Sequence, residues 1–148
     1  MQVIKPMATI TPESLAGAVS SRMSNEQRKS IVVLAFVRLG LELAKDAHIE
    51  HLNARTRSRH MALDGLYKEL PAAVDALAEA ALGEYIGQSV PLDVESGYDD
   101  LVFDEKLAYM VGTARSIIAR DEIREPMVTA IIDILQLCVK TQYLLSLK

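Results

Sequence analysis

The sequence predicts an all-α protein, a bundle of four long helices with one long crossover between helices two and three. Three observations carry this. Gly (7) and Pro (5) are scarce among 148 residues, while Leu, Ala, Ile, Met, Glu, Lys and Arg dominate, a bias towards helix. Apolar residues recur at helical rather than alternating spacing. The pattern breaks three times: near 53–59, over "GQSVPLDVESGYDD" at 87–100, and at "RDEIREP". The middle break is long enough to run the length of a bundle, since extended chain spans roughly 3.3 Å per residue.

The elements follow in order. Residues 1–23 are mixed and read as an arm or tail, in which Thr11 and Pro12 could open a short helix. The bundle occupies 24–148. "SNEQ" is a capping box, with Ser24 as N-cap and Gln27 as its partner. The apolar face of the first helix comprises Ile31, Leu34, Ala35, Arg38, Leu39, Leu41, Leu43 and Ala47, and the helix reaches about His51. "NARTRSR" carries arginines at 55, 57 and 59 and reads as a solvated turn or irregular entry. A second helix covers about 58–86, bent or broken near Pro71, where one backbone hydrogen bond is lost. A third runs from about Asp99 to Ala119, and Pro126 opens a fourth that reaches the C-terminus.

Composition excludes several classes of function. A net charge of −4 and a pI near 5.4 argue against DNA coating, which needs a basic surface to displace counterions. The longest unbroken apolar run, "IVVLAFV", is far short of a membrane span, and the N-terminus lacks a signal-peptide pattern. The single cysteine, Cys138, falls at a helical core spacing, reads as a buried small hydrophobe and suits a reducing compartment. The expectation is a cytoplasmic protein.

The chemistry concentrates in "HMALDGLYKELPAAVDALAE", residues 60–79. His60 and Asp64 are four apart, as are Asp75 and Glu79. With His60 at zero, the others fall near 40°, 60° and 100° around the helix, at about 100° per residue. Leu63, Tyr67, Leu70, Val74, Leu77 and Ala81 hold the neighbouring arc, so the four flank the core face. Asp64 and Asp75 stand about 16 Å apart along the axis, too far to share a site within one chain.

The pairs are nonetheless symmetric, because 60 with 79 and 64 with 75 share one midpoint, between residues 69 and 70. Packing this helix antiparallel on its own copy about a two-fold axis there sets His60 opposite Glu79 and Asp64 opposite Asp75. Two equivalent sites result, roughly 22 Å apart, each completed by the second molecule. His51 can fold back towards His60 as a further ligand, and His48 lies one turn earlier. Histidine with several carboxylates suits Fe(II) or Mn(II) better than zinc. Lys68 and Arg57 share the same arc, so an ordinary salt-bridged flank is the competing reading. Spacing alone leaves both open.

"HLNARTRSRHMALDGLYKELPAAVDALAEAALG", residues 51–83, resembles the ferroxidase segment of the Dps mini-ferritins. The matching positions are His51, Asn53, His60, Asp64, Tyr67, Leu70, Val74, Asp75, Leu77, Ala78, Glu79, Leu82 and Gly83. The shorter loop and the ending "IIDILQLCVKTQYLLSLK" are similar to ferritin-like proteins of large tailed bacteriophages. The resemblance implies a ferritin-like four-helix bundle and a homo-oligomer, in the family a dodecamer shell, within the cytoplasm (the host's if phage-encoded). It implies a di-iron type site at a two-fold interface, with His51, His60 and Asp64 from one subunit and Asp75 and Glu79 from its neighbour. Fe(II) would be oxidised there by peroxide or O₂, with Mn or Zn as substitutes for iron. A non-catalytic oligomeric structural or interaction protein of a phage is the alternative. The sequence departs from the family at Leu52, where Trp is usual, in the shortened His51–His60 step, and at Pro71 on the expected axis.

Overall fold

The computed structural model describes residues 24–94 and 97–147; the expected arm, 1–23, lies outside the described residues. Four helices and no strand occur among those described: α1 (Asn25–Asn53), α2 (Arg57–Glu84), α3 (Phe103–Ala119) and α4 (Met127–Ser146). The protein is all-α, as its composition implies.

The capping box starts α1 as the sequence indicates. Gln27 donates its backbone N–H to the Ser24 hydroxyl at 3.2 Å, and Ser24 donates its own to the Gln27 side chain at 3.0 Å. Val33, Phe36, Val37, Leu43 and Ala47 then form a fully buried stripe. Leu41 is not part of it. Two residues from Leu43 is about 200° of helix, which turns Leu41 outward, and it is 44% exposed.

The arginine run is shorter as a turn than expected. Thr56 accepts the backbone N–H of Arg59 at 3.2 Å and caps α2, so Arg57 and Arg59 lie in its first turn and only 54–56 connect the helices. Pro71 does not break α2, which is helical throughout Arg57–Glu84. Its ring is on the exposed side, where the one missing N–H is tolerated.

After α2, Gly87 takes a left-handed φ of 88° that a side chain would resist, and the chain leaves the helix. The link extends further than expected, to Val102, because Tyr98 is drawn inward. Its ring is 1% exposed, its hydroxyl donates to the Leu39 carbonyl of α1, and the N–H of Leu101 closes a turn on the Tyr98 carbonyl. Pro126 caps α4 as expected.

In packing, α1 lies beside α2 and α3, and α4 lies beside α2 and α3, so α1 and α4, like α2 and α3, face each other across the diagonals of the bundle. Leu63, Leu66, Leu70, Val74 and Leu77 of α2 meet Leu107, Met110 and Ile117 of α3 and Ile131, Ile134 and Cys138 of α4 in one core. Burying each large aliphatic side chain contributes about 1.5–3 kcal/mol. Cys138 is buried as expected, and desolvation pushes its thiol up to about 12.

The helix α4 is long and apolar enough to cross a membrane by length and composition alone, although charged and polar residues interrupt its apolar run. Met127, Ala130, Ile131, Ile134 and Cys138 on its inner face nevertheless belong to the bundle core.

Two polar ties hold one end together. Arg59 reaches Glu50 of α1 at 3.1 Å and Asp104 of α3 at 3.2 Å. Lys106 of α3 meets Asp46 of α1 at 2.8 Å, with its ammonium 5.2 Å from the centre of the Tyr98 ring.

Candidate metal centre

The three-residue turn brings the last turn of α1 against the first turn of α2, and with them His51 against His60. Their ring centres are 3.8 Å apart. His51 Nδ1 lies 3.0 Å from the His60 carbonyl oxygen, and His60 Nδ1 lies 3.2 Å from that of His51. A carbonyl oxygen only accepts, so in both rings Nδ1 carries the proton and donates it. In the neutral form each Nε2 then holds a lone pair, the tautomer of a metal-ligating histidine anchored through its other nitrogen.

Asp64 stands one turn further along α2, with Oδ1 3.9 Å from His51 Nε2. Its other oxygen, Oδ2, accepts from the Lys68 ammonium at 2.8 Å. The Lys68 hydrogen bond, reinforced by the opposite charge of Lys68, holds the Asp64 carboxyl below its ordinary range; desolvation, the second-largest effect, opposes it. The Lys68 ammonium is correspondingly raised, first by the same hydrogen bond.

Tyr67 supports the pair from beneath. Its ring stacks on His48 at 4.5 Å and 3° and tilts against His51 at 4.6 Å. Sequence reasoning places Tyr67 on the core arc but gives it no contact with the histidines. It also misses Arg59, whose ties to Glu50 and Asp104 pin the residue next to His60. A charge amid other charges in a turn looks solvated, and only the approach of α3 shows otherwise.

The expected ligands thus divide. His51, His60 and Asp64 come together; Asp75 and Glu79 lie further along α2, both exposed. His51 is buried at 6%, while His60 is exposed and Asp64 half-buried. In the single chain the arc therefore faces outward more than its position beside the core implies. Among the described residues no group of three or more His, Cys, Asp or Glu closes on one ion. Of the two cations expected on the flank, Lys68 is the one that pairs with Asp64.

Small residues also lie on the outward face of α2, with Glu69 exposed among them. Gly65, Ala72, Ala76 and Gly83 leave its backbone accessible, and Met61 (58% exposed) and Leu82 (39%) lie near its two ends. A Cβ at Gly65 or Gly83 would meet nothing within 4 Å.

These features define an all-helical, four-helix protein with a histidine–carboxylate cluster where its first two helices meet. Residues 51–145 match a family of unknown function (DUF5856), and the chain belongs to that family. The matched span begins at His51 and includes all five candidate ligands. No curated protein and no solved structure matches the chain.

Proposed function

We propose that this protein is a Dps-like mini-ferritin: a ferritin-like bundle with a long crossover between α2 and α3 that binds Fe(II) at sites shared by two copies and oxidises it. The crossover is supported by where the helix ends meet. Arg59 at the start of α2 pairs with Asp104 at the start of α3, and Tyr98 in the link lies against Leu39 midway along α1. These contacts support a chain that leaves the far end of α2 and returns along the bundle, with α2 and α3 parallel.

The observation that carries the functional reading is the reciprocal hydrogen bonding of His51 and His60. Two rings held by Nδ1, with both Nε2 atoms left as donors to a metal, match the donor set that Fe(II) takes with carboxylates. Asp75 and Glu79, exposed on the same helix, are then supplied by the partner across an axis between residues 69 and 70. The small outward residues of α2 suit a close antiparallel approach. Fe(II) is the substrate; each ion gives up one electron, so peroxide takes electrons from two ions and two protons to leave water. The product is Fe(III), for sequestration and protection against oxidative stress. DNA coating is not part of this reading, since Arg59 of the local basic cluster is held by Glu50 and Asp104.

The deciding experiment is anaerobic Fe(II) titration of the metal-free protein. One to two ions per subunit should bind, and His60→Ala with Asp75→Ala should abolish binding. Fe(II) oxidation should then fail in Asp75→Ala/Glu79→Ala. An oligomeric protein that takes up no iron would instead favour a structural or interaction role in a phage, the reading that the Lys68–Asp64 ion pair supports.

A further inference from the structure

Among the described residues, Asp64 is the one candidate ligand whose oxygens both face another charged or titratable group. Oδ1 faces His51 Nε2 at 3.9 Å, and Oδ2 holds the Lys68 ammonium at 2.8 Å. No ion can take Asp64 fully without breaking the second contact. We propose that Lys68 is a tethered competitor for the metal: it neutralises Asp64 while the site is empty and must swing away when a divalent cation binds, so it sets the affinity threshold. This rests on the function proposed above and adds to it the residue that regulates its site.

The geometry favours displacement. Lys68 sits four residues after Asp64 on α2, so its stem follows the helix surface and its ammonium approaches from the solvent side. Its side chain is 57% exposed against 31% for Asp64, so water can receive the ammonium as it leaves. Exposed pairs of this spacing are weak. A dication has twice the charge and can also use the Nε2 lone pairs, which an ammonium satisfies only through a hydrogen bond. Lys68 is therefore strong enough to hold Asp64 without metal and too weak to exclude metal. Its other neighbour among the described residues is the Tyr67 ring, whose centre is 5.9 Å away.

The test is anaerobic Fe(II) titration of the full chain carrying Lys68→Met, beside Lys68→Arg, Arg55→Met and the unaltered protein, with affinity as the readout. Removing an adjacent positive charge and a weak ion pair should tighten binding about threefold to tenfold. Lys68→Arg, which keeps the charge and the reach, should bind as the unaltered protein does. Arg55→Met removes an equal charge from the nearby turn without touching Asp64 and should change affinity by less than twofold. All positions are exposed, and helicity by circular dichroism checks that each variant folds. If the unaltered protein binds Fe(II) and Lys68→Met binds no more tightly, or no more tightly than Arg55→Met, the competitor role is overturned while the proposed function stands. If neither the unaltered protein nor Lys68→Met binds Fe(II), the proposed function itself fails and this inference with it.

Discussion

At Gly40 α1 approaches α2 too closely to leave room for a Cβ, and replacing it measures how firmly that crossing holds α2. A Cβ at Gly40 would stand 2.7 Å from Val74 Cγ2 and 3.3 Å from Cγ1. Carbon atoms pack at about 3.5–4.0 Å, so roughly 1 Å must open between the helices. Val74 cannot rotate away, because branching at Cβ leaves one favoured rotamer in a helix and the residue is 0% exposed. Overpacking of this kind costs about 1–3 kcal/mol. Ala gains back about 1 kcal/mol over Gly in a helix interior. Gly40→Ala should therefore destabilise by about 1 kcal/mol, a fall of about 4 °C in Tm for a domain of this size. Thermal and guanidinium unfolding followed by circular dichroism would measure it.

A double-mutant cycle isolates the contact. Val74→Ala alone should cost about 2–3 kcal/mol as a cavity. Combined with Gly40→Ala, the new methyl occupies part of that cavity, and the double variant should be about 1–3 kcal/mol better than the sum of the singles. Additive losses, or a Gly40→Ala variant stabilised by the full helix-propensity gain, would refute the reasoning. Either result would mean that the helices separate there without strain. The crossing bears on the site because Asp75 follows Val74, so any outward movement of α2 carries a candidate ligand with it.

Three further outcomes follow from the same structure. Lys106→Met should cost about 1–3 kcal/mol in urea melts, because Asp46 is left half-buried without its 2.8 Å partner, and adding Asp46→Asn should recover part of that loss. Stability should also fall in alkali: burial raises Cys138 and Tyr85 to about 12 and Tyr98 further, so the folded state keeps protons that the unfolded chain sheds. The loss begins above about 8.5 for the thiol and about 10 for the tyrosines, at about 1.4 kcal/mol per pH unit for each group, and a flat profile from pH 8 to 11 would contradict it. For the same reason Cys138 should resist a disulfide reagent at pH 8 in the folded protein and react once urea unfolds it; prompt reaction of the native thiol would show that it is not buried.

What the sequence disclosed, and what it concealed, follows from the range of the forces involved. Capping at Ser24, the core stripe from Leu63 to Ala81, and the pairing of Asp64 with Lys68 depend on residues three or four apart on one helix, so spacing alone reveals them. Arg59 and Tyr98 stand in polar surroundings along the chain, and their partners, Asp104 and Leu39, are 45 and 59 residues away. No local pattern distinguishes them from solvated neighbours. The histidines fall between these cases. Spacing shows that His51 can reach His60 across a short turn, but not which nitrogen each ring would present. That depends on the two carbonyls at the helix ends, which become acceptors for Nδ1 only because three residues connect α1 to α2. A longer turn would separate the two ends and free both rings to choose either tautomer. The shortened His51–His60 step, a departure from the Dps pattern in the sequence, is in the folded chain what ties both rings through Nδ1.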